Sequence, residues 1–212
     1  MRVTFPHMGS SPIAFKMLIE KLGHEPVMPL RPSENTLSLG SHYAPEFACI
    51  PFKILLGTYL EALERGAEMI ITSGGMGPCR AGYYGVLHEK ILRDLGFDVE
   101  FVVLEPPQKK TMDFLRKLRR ITRGKSLSVV WDALSTCWQK LRVLDYIDEL
   151  SYEIRPRELE KNETTRVLEE CYQIIDSAWT REEIRESRVE CEKRLRAIRT
   201  DKTKNPLKVG II

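Results

Sequence analysis

The sequence predicts an α/β protein in which a Rossmann-like parallel sheet of about four strands is joined to an additional helical region. In the first 106 residues, short apolar runs rich in β-branched residues alternate with longer stretches whose apolar positions recur every three or four residues. Beyond them, the chain consists mainly of long, charged helical patterns. Strands that alternate with helices pair in parallel through right-handed crossovers, so we expect a doubly wound sheet.

The first strand, helix and second strand occupy the first thirty residues. Residues 2–9 (RVTFPHMG) predict a strand that ends in a Gly/Ser turn. Residues 10–23 predict a helix with Pro12 in its first turn and Gly23 at its end. Proline suits a first turn because the N–H that it lacks would be unpaired there, and glycine tolerates the conformation that ends a helix. Residues 25–30 (EPVMPL) predict the second strand.

Two further helix and strand pairs follow an irregular stretch at 31–48. Residues 49–67 and 79–96 show helical periodicity. Between them, residues 68–74 (EMIITSG) form a short β-branched run, which is the clearest strand in the sequence. Residues 99–106 (VEFVVLEP) predict the fourth strand and close the α/β domain.

The second half of the chain predicts a helical region at 107–204. Its charges alternate in sign at helical spacing, as in TREEIRESRVECEKRLRAIR, which is typical of a solvent-exposed helix face. Residues 205–212 (NPLKVGII) begin as a loop and continue as an apolar β-type run. This run predicts the first strand of a further α/β unit, so we expect a truncated chain or a split subunit whose second Rossmann-like domain lies elsewhere.

Composition and charge argue against several classes of protein. The 212 residues are 42% hydrophobic and 30% charged, and the formal net charge is +3. The sequence contains no basic patch interleaved with aromatic residues, so nucleic-acid binding is not expected. The sequence contains neither a membrane-spanning apolar run nor a signal peptide, which predicts a cytoplasmic protein with no membrane partner. No Ser/His/Asp arrangement supports hydrolase chemistry.

Two of the five cysteines stand at predicted helix starts. Cys49 lies in APEFACIPFK and Cys79 lies in TSGGMGPCRAGYYG, each close to a proline. The unpaired N–H groups and the positive dipole end of a helix start favour thiolate over thiol. Both cysteines belong to loops that lead into helices, and such loops gather at the carboxyl ends of parallel strands. The sequence therefore predicts that the two sulfur atoms converge in a metal site.

Other interpretations of these residues stay open. A free cysteine is commonly a small buried hydrophobic residue. We expect this of the cysteines within helical patterns: Cys137, Cys171 and Cys191. Gly74, Gly75 and Gly77 form a candidate cofactor-binding loop, although their spacing matches neither the dinucleotide motif nor the P-loop, and they could simply allow a tight turn. Zinc is a further candidate ligand for the two loop cysteines.

Four more residues are candidates for contacting a substrate or for tuning the site: His7, Glu46, Lys53 and Arg80. His7 ends the first strand and is expected to face the same crevice. Arg80 directly follows the second loop cysteine, where its charge would stabilise thiolates and reduced clusters. The neighbouring Tyr83 and Tyr84 are expected to pack against the rest of the protein.

The stretch from 41 to 98 (SHYAPEFACIPFKILLGTYLEALERGAEMIITSGGMGPCRAGYYGVLHEKILRDLGFD) resembles the 2-hydroxyacyl-CoA dehydratase and benzoyl-CoA reductase superfamily, in particular its uncharacterised, activase-associated branch. The resemblance extends over about 1–106 and more loosely beyond. It implies tandem Rossmann-like domains and an iron–sulfur cluster, either 4Fe–4S or double-cubane, with Cys49 and Cys79 as its first two ligands. A third cysteine would come from the following domain, and such clusters are lost in air.

The resemblance further implies an anaerobic electron-transfer protein. An ATP-hydrolysing activase would supply low-potential electrons, and the protein would reduce an acyl-CoA thioester or another small molecule as a dehydratase or reductase component. A different hypothesis is a non-catalytic module, which docks on an activase or on a second domain through its charged helices. A homo-oligomer is also among the expected assemblies.

Overall fold

Four parallel strands form the sheet, which confirms the predicted fold class. The structure is a computed structural model that describes residues 1–75, 79–105, 111–207 and 209. The strand order is β2-β1-β3-β4, and every neighbouring pair is parallel. The strands are β1 (Arg2–Thr4), β2 (Glu25–Pro26), β3 (Met69–Ser73) and β4 (Glu100–Leu104).

Helices connect and follow these strands in the predicted alternation. Those that precede β4 are α1 (Pro12–Lys21), α2 (Glu34–Tyr43), α3 (Ile50–Glu64) and α4 (Tyr84–Asp94). A short 3-10 turn, Arg80–Tyr83, leads into α4. Those that follow β4 are α5 (Thr111–Ile121), α6 (Leu127–Ile154), α7 (Glu163–Ser177) and α8 (Arg181–Arg196).

Helix α2 lies in the stretch for which we predicted irregular structure, so that prediction is wrong. Ser33 caps the helix, because its Oγ accepts a hydrogen bond from the backbone N–H of Thr36 while the Thr36 hydroxyl pairs with the Ser33 backbone. Such a reciprocal cap satisfies two of the N–H groups that a helix start leaves unpaired. The buried Thr36 hydroxyl also donates to the carboxylate of Glu61 in α3, at 2.9 Å.

Helices α2 and α3 cross in close contact because each has a glycine at the crossing. A Cβ atom on Gly40 would clash with the backbone carbonyl of Lys53, and one on Gly57 would clash with the backbone carbonyl of Thr36. Without side chains at these positions, the two backbones approach directly. This crossing holds α2 against α3 and so fixes the loop that precedes α3.

Buried side chains pack on both faces of the sheet. The alternation along β3 sends Met69 to one face and Ile70 to the other. On the first face, the core includes residues of α1, α5 and α6 such as Ile19 and Ile121. On the second face, α3 and α4 supply aromatic and aliphatic residues such as Phe52. Helices on both faces make the sheet doubly wound, and the strand order reverses its direction between β1 and β3.

The chain divides into two compact units, Met1–Ala133 and Leu134–Ile212, and the division falls within α6. In the second unit, α7 and α8 pack together, with Cys171 and Cys191 fully buried between them. No helix in the described ranges has both the length and the apolar character needed to cross a membrane. Of the strand predicted at 205–212, residues 208 and 210–212 lie outside the described residues.

The α2–α3 crossing gives a test of the fold. An alanine normally stabilises a helix relative to glycine. Gly57→Ala is expected to do the reverse and to lower the free energy of unfolding by about 1–3 kcal/mol, because the added methyl group overpacks the crossing. Chemical denaturation would measure the change. Ser38→Ala on the exposed side of α2 is the control and should leave stability nearly unchanged; a stabilised Gly57→Ala variant would contradict the close crossing.

Candidate functional site

Cys49 occupies a helix start, as the sequence predicts, whereas the helix predicted from Cys79 begins only at Tyr84, after a short 3-10 turn. Cys49 is the residue immediately before α3, and Pro51 lies in the first turn of that helix. Cys79 holds the same position before the 3-10 turn that leads into α4. Cys49 is partly buried and Cys79 is exposed, and both are free thiols. The two sulfur atoms therefore reside on neighbouring loops that begin the two helices of one sheet face.

Tyr84 contacts the Cys49 thiol, a role that the sequence analysis missed. Its hydroxyl oxygen lies 2.5 Å from Sγ of Cys49. Its pKa is raised to about 12, first by burial, then by the hydrogen bond and negative charge of Cys49, and further by the charge of Cys79. Both thiols therefore belong to the electrostatic surroundings of Tyr84, and Cys49 is the one that contacts it.

The surroundings of Cys49 favour its thiolate form. The hydrogen bond from the Tyr84 hydroxyl makes the largest contribution to lowering the pKa of the thiol. Burial opposes this effect, while the backbone N–H groups at the start of α3 and the positive charge of Arg80 support it. The predicted effects of the helix start and of Arg80 are thus present, and the tyrosine adds to them.

An apolar recess of about 200 Å³ opens beside the Cys49 thiol. Its walls come from the loop before α3, the first turn of α3, and the start of α4. The lining residues are Phe47, Ala48, Cys49, Phe52, Arg80, Tyr83, Tyr84 and Leu87. Such a recess can hold a small apolar group next to a thiolate, with one guanidinium group available for an anion.

His88 connects α4 with the start of α3 through a buried hydrogen bond. It is fully buried, and its Nε2–H donates a hydrogen bond to the backbone carbonyl of Phe52 at 3.0 Å. Its ring stacks on the Phe52 ring at 4.0 Å between centroids and lies 5.7 Å from that of Tyr84. Burial lowers the pKa of His88 to about 4, so the ring is neutral at pH 7. Its Nδ1 atom has no hydrogen-bond partner among the described residues.

The other predicted site residues do not all lie at the recess. Arg80 lines the recess, and the Lys53 ammonium donates to the backbone carbonyl of Glu46 at 3.4 Å, beside Cys49. His7 follows β1 and lies outside the recess. Burial lowers the pKa of His7, and the positive charge of Arg31 lowers it further. The electrostatic surroundings of His7 therefore include the Arg31 guanidinium.

The glycines of the candidate cofactor-binding loop make close contacts within the protein. A Cβ atom on Gly74 would lie 2.6 Å from Cγ1 of Val103 in β4. The backbone of Gly75 approaches that of Gly82 so closely that a Cβ on Gly82 would clash with the Gly75 carbonyl. These contacts account for the absence of side chains at Gly74 and Gly82. Gly77 lies outside the described residues.

The two thiols can act as metal ligands, but they supply only some of the ligands that a metal site needs. Thiolates at helix starts are suitable ligands for zinc or for iron–sulfur clusters. Within the described parts of the chain, no group of three or more His, Cys, Asp or Glu side chains is arranged to hold a metal ion. Cys137, Cys171 and Cys191 are buried, as predicted for core cysteines. Two thiols thus match two positions of a cluster that usually has four protein ligands.

Together, these observations define an α/β protein with a doubly wound parallel sheet and two free thiols, one at the start of α3 and one before the 3-10 turn that leads into α4. No protein-family model, curated protein or solved structure matches this chain. The superfamily resemblance and the cluster that it implies therefore stay predictions.

The buried His88 predicts an acid-sensitive fold. Its pKa of about 4 lies below the ordinary value of 6.5, so the unfolded chain takes up a proton more readily than the folded one. The contribution of His88 to the free energy of unfolding should therefore be fully present above about pH 6.5. This contribution should fall by about 3 kcal/mol as the pH drops from there to 4. Denaturation across that range would show a weaker pH dependence in His88→Gln, whereas the exposed His42→Gln should behave as wild type. An unchanged slope in His88→Gln would contradict this assignment.

The Tyr84 contact predicts the reactivity of Cys49. In Tyr84→Phe, the thiolate loses the hydrogen bond that contributes most to lowering its pKa, so the thiol pKa should rise. Alkylation by iodoacetamide, followed at Cys49 by peptide mass spectrometry from pH 5 to pH 10, should show a profile shifted to higher pH. Tyr83→Phe is the matched control, because Tyr83 is 75% exposed. Equal shifts in the two variants would argue against a specific role for the Tyr84 hydroxyl.

Proposed function

We propose that this protein is an iron–sulfur redox protein in which Cys49 and Cys79 are two ligands of the cluster. The observation that supports the proposal most is the contact of the Cys49 thiol, at the start of α3, with Tyr84 at the start of α4, a helix that follows Cys79 by one short turn. Cluster ligands bind as thiolates, and the hydrogen bond from Tyr84 and the charge of Arg80 favour this form at Cys49. A bound cluster would supply one-electron transfer.

The remaining ligands would come from a second Rossmann-like domain or a partner subunit. Cys79 is exposed and Cys49 is partly accessible, so both sulfur atoms can be reached from outside this unit. Hydrogen bonds and charges around cluster sulfurs tune their potential. In the proposal, the Tyr84 hydroxyl and the Arg80 guanidinium have this role, and Lys53, whose ammonium lies beside the loop before α3, adds positive charge.

The recess beside Cys49 suggests where a substrate would bind. Its aromatic and aliphatic walls would exclude water from a small apolar group, and Arg80 would orient an anionic or carbonyl part. An acyl-CoA thioester or another small molecule, reduced with electrons from an ATP-dependent activase, is the proposed substrate. The proposal places the protein in the reducing cytoplasm, where free thiols persist.

A second candidate function is a non-catalytic docking or zinc-binding module. It is favoured by the apolar side chains that remain exposed around the thiols: Phe47, Ile50, Tyr83 and Val86. Large exposed apolar side chains that cluster in this way are typical of surfaces that bind a partner. In this case, the two thiolates would hold zinc together with ligands from that partner, and no electron transfer would occur.

Anaerobic reconstitution distinguishes these functions. Incubation of the protein with iron and sulfide should give a brown product with broad visible absorbance and bound iron and sulfide. Cys49→Ala and Cys79→Ala should each lose the absorbance, since each removes one of only two ligands from this chain, whereas Cys137→Ala should retain it. A colourless protein that binds zinc through both cysteines would support the module and would contradict the redox function.

A further inference from the structure

Two cysteines face each other across the α7–α8 helix pair, which lies entirely within the second unit. Cys171 of α7 and Cys191 of α8 are both fully buried, and both are free thiols. Sγ of Cys171 lies 3.8 Å from the backbone carbonyl oxygen of Cys191. In return, Sγ of Cys191 lies 3.6 Å from the carbonyl oxygen of Cys171. Each thiol therefore reaches the backbone of the opposite cysteine.

These reciprocal contacts are the placement that a disulfide needs. Only one carbon separates the sulfur of a cysteine from its backbone, so two cysteines that each touch the other's carbonyl stand directly opposite one another. A disulfide requires facing residues whose Cα atoms lie within about 7 Å. The two thiols are also hydrogen-bonded to each other. The sulfur atoms of Cys171 and Cys191 are thus already in contact, and a bond between them needs only a small closing movement.

Charged side chains beside the pair make the two thiols unequal. Arg194 of α8 pairs with Glu170 of α7 at 3.3 Å and with Glu190 of its own helix at 2.7 Å. The hydrogen bond from Cys191 lowers the pKa of the Cys171 thiol, and the charge of Arg194 supports this effect. Burial and the charges of the two glutamates oppose it. The same hydrogen bond and burial raise the pKa of Cys191. Cys171 is therefore the better nucleophile of the two.

We propose that Cys171 and Cys191 form a reversible disulfide that links α7 to α8 when the protein meets a peroxide. The Cys171 thiolate attacks one peroxide oxygen and the O–O bond breaks, which gives a sulfenic acid and hydroxide. The hydroxide takes up the proton that Cys171 has released. The Cys191 sulfur then attacks the sulfenic sulfur, so that the S–S bond forms while the S–O bond breaks and water leaves with the Cys191 proton. The two sulfur atoms supply the two electrons that reduce hydrogen peroxide to two water molecules.

Burial determines which reagents reach this pair. Hydrogen peroxide is hardly larger than water, so it needs a smaller opening of the α7–α8 contact than an alkylating reagent does. The exposed Cys79 and the partly buried Cys49 are accessible to both kinds of reagent. Small thiols would reset the disulfide by exchange. Transient, redox-sensing disulfides of this kind are the ones that a reducing cytoplasm permits.

Peptide mass spectrometry under non-reducing conditions tests the disulfide. The native protein is treated with hydrogen peroxide and then alkylated in denaturant. It should yield a linked Cys171–Cys191 peptide that is lighter by two hydrogen atoms than its separate parts, and dithiothreitol should remove the link. A double variant, Cys49→Ala with Cys79→Ala, should form the link equally well, so the result does not depend on the proposed cluster. A protein that forms no such link, or forms it only once denatured, overturns the proposal.

Urea denaturation of the oxidised and reduced protein provides a second measurement. A bond between cysteines 20 positions apart restricts the unfolded chain, so the oxidised protein should unfold at a urea concentration higher by roughly 1–3 M. Cys171→Ala and Cys191→Ala should each abolish this shift. Cys137→Ala is the matched control, because it removes another buried cysteine of the same unit and should keep the shift. Equal unfolding of the oxidised and reduced wild-type protein would contradict a link between the helices.

Discussion

The site depends on how the start of α3 is held against the start of α4. Two contacts achieve this: the buried His88 of α4 donates to the carbonyl of Phe52 in α3, and the Tyr84 hydroxyl meets the Cys49 thiol. The His88 contact is buried, with the Phe52 ring stacked on the His88 ring. Polar contacts in such surroundings are stronger than in water, and they are costly to leave unpaired. Without them, the loop that carries Cys49 would not be held against the start of α4.

The parallel sheet makes this arrangement available. In a doubly wound fold, helix starts collect at the carboxyl ends of the strands, where unpaired N–H groups favour negative charge. The glycine crossing of α2 with α3 fixes the loop before Cys49, and the backbones of Gly75 and Gly82, which flank Cys79 in the sequence, lie in close contact. The ionisation of Cys49 is then adjusted by one tyrosine and one arginine.

The apolar recess beside Cys49 combines aromatic walls with a thiol and a guanidinium group, which suits a small molecule or a ligand-supplying partner.

Local pattern in the sequence determined the α/β class and the placement of Cys49 at a helix start, because hydrophobic period, proline and glycine act over a few residues. It placed the start of α4 at Cys79, five residues before the helix begins. It did not reveal α2, whose place against α3 depends on glycines in two helices. It also gave Tyr84 only a packing role. The contact of Tyr84 with Cys49 joins residues 35 positions apart, and that of His88 with Phe52 joins residues 36 apart. Such pairs exist only once the chain has folded, so tertiary structure alone decided which side chains meet the thiols.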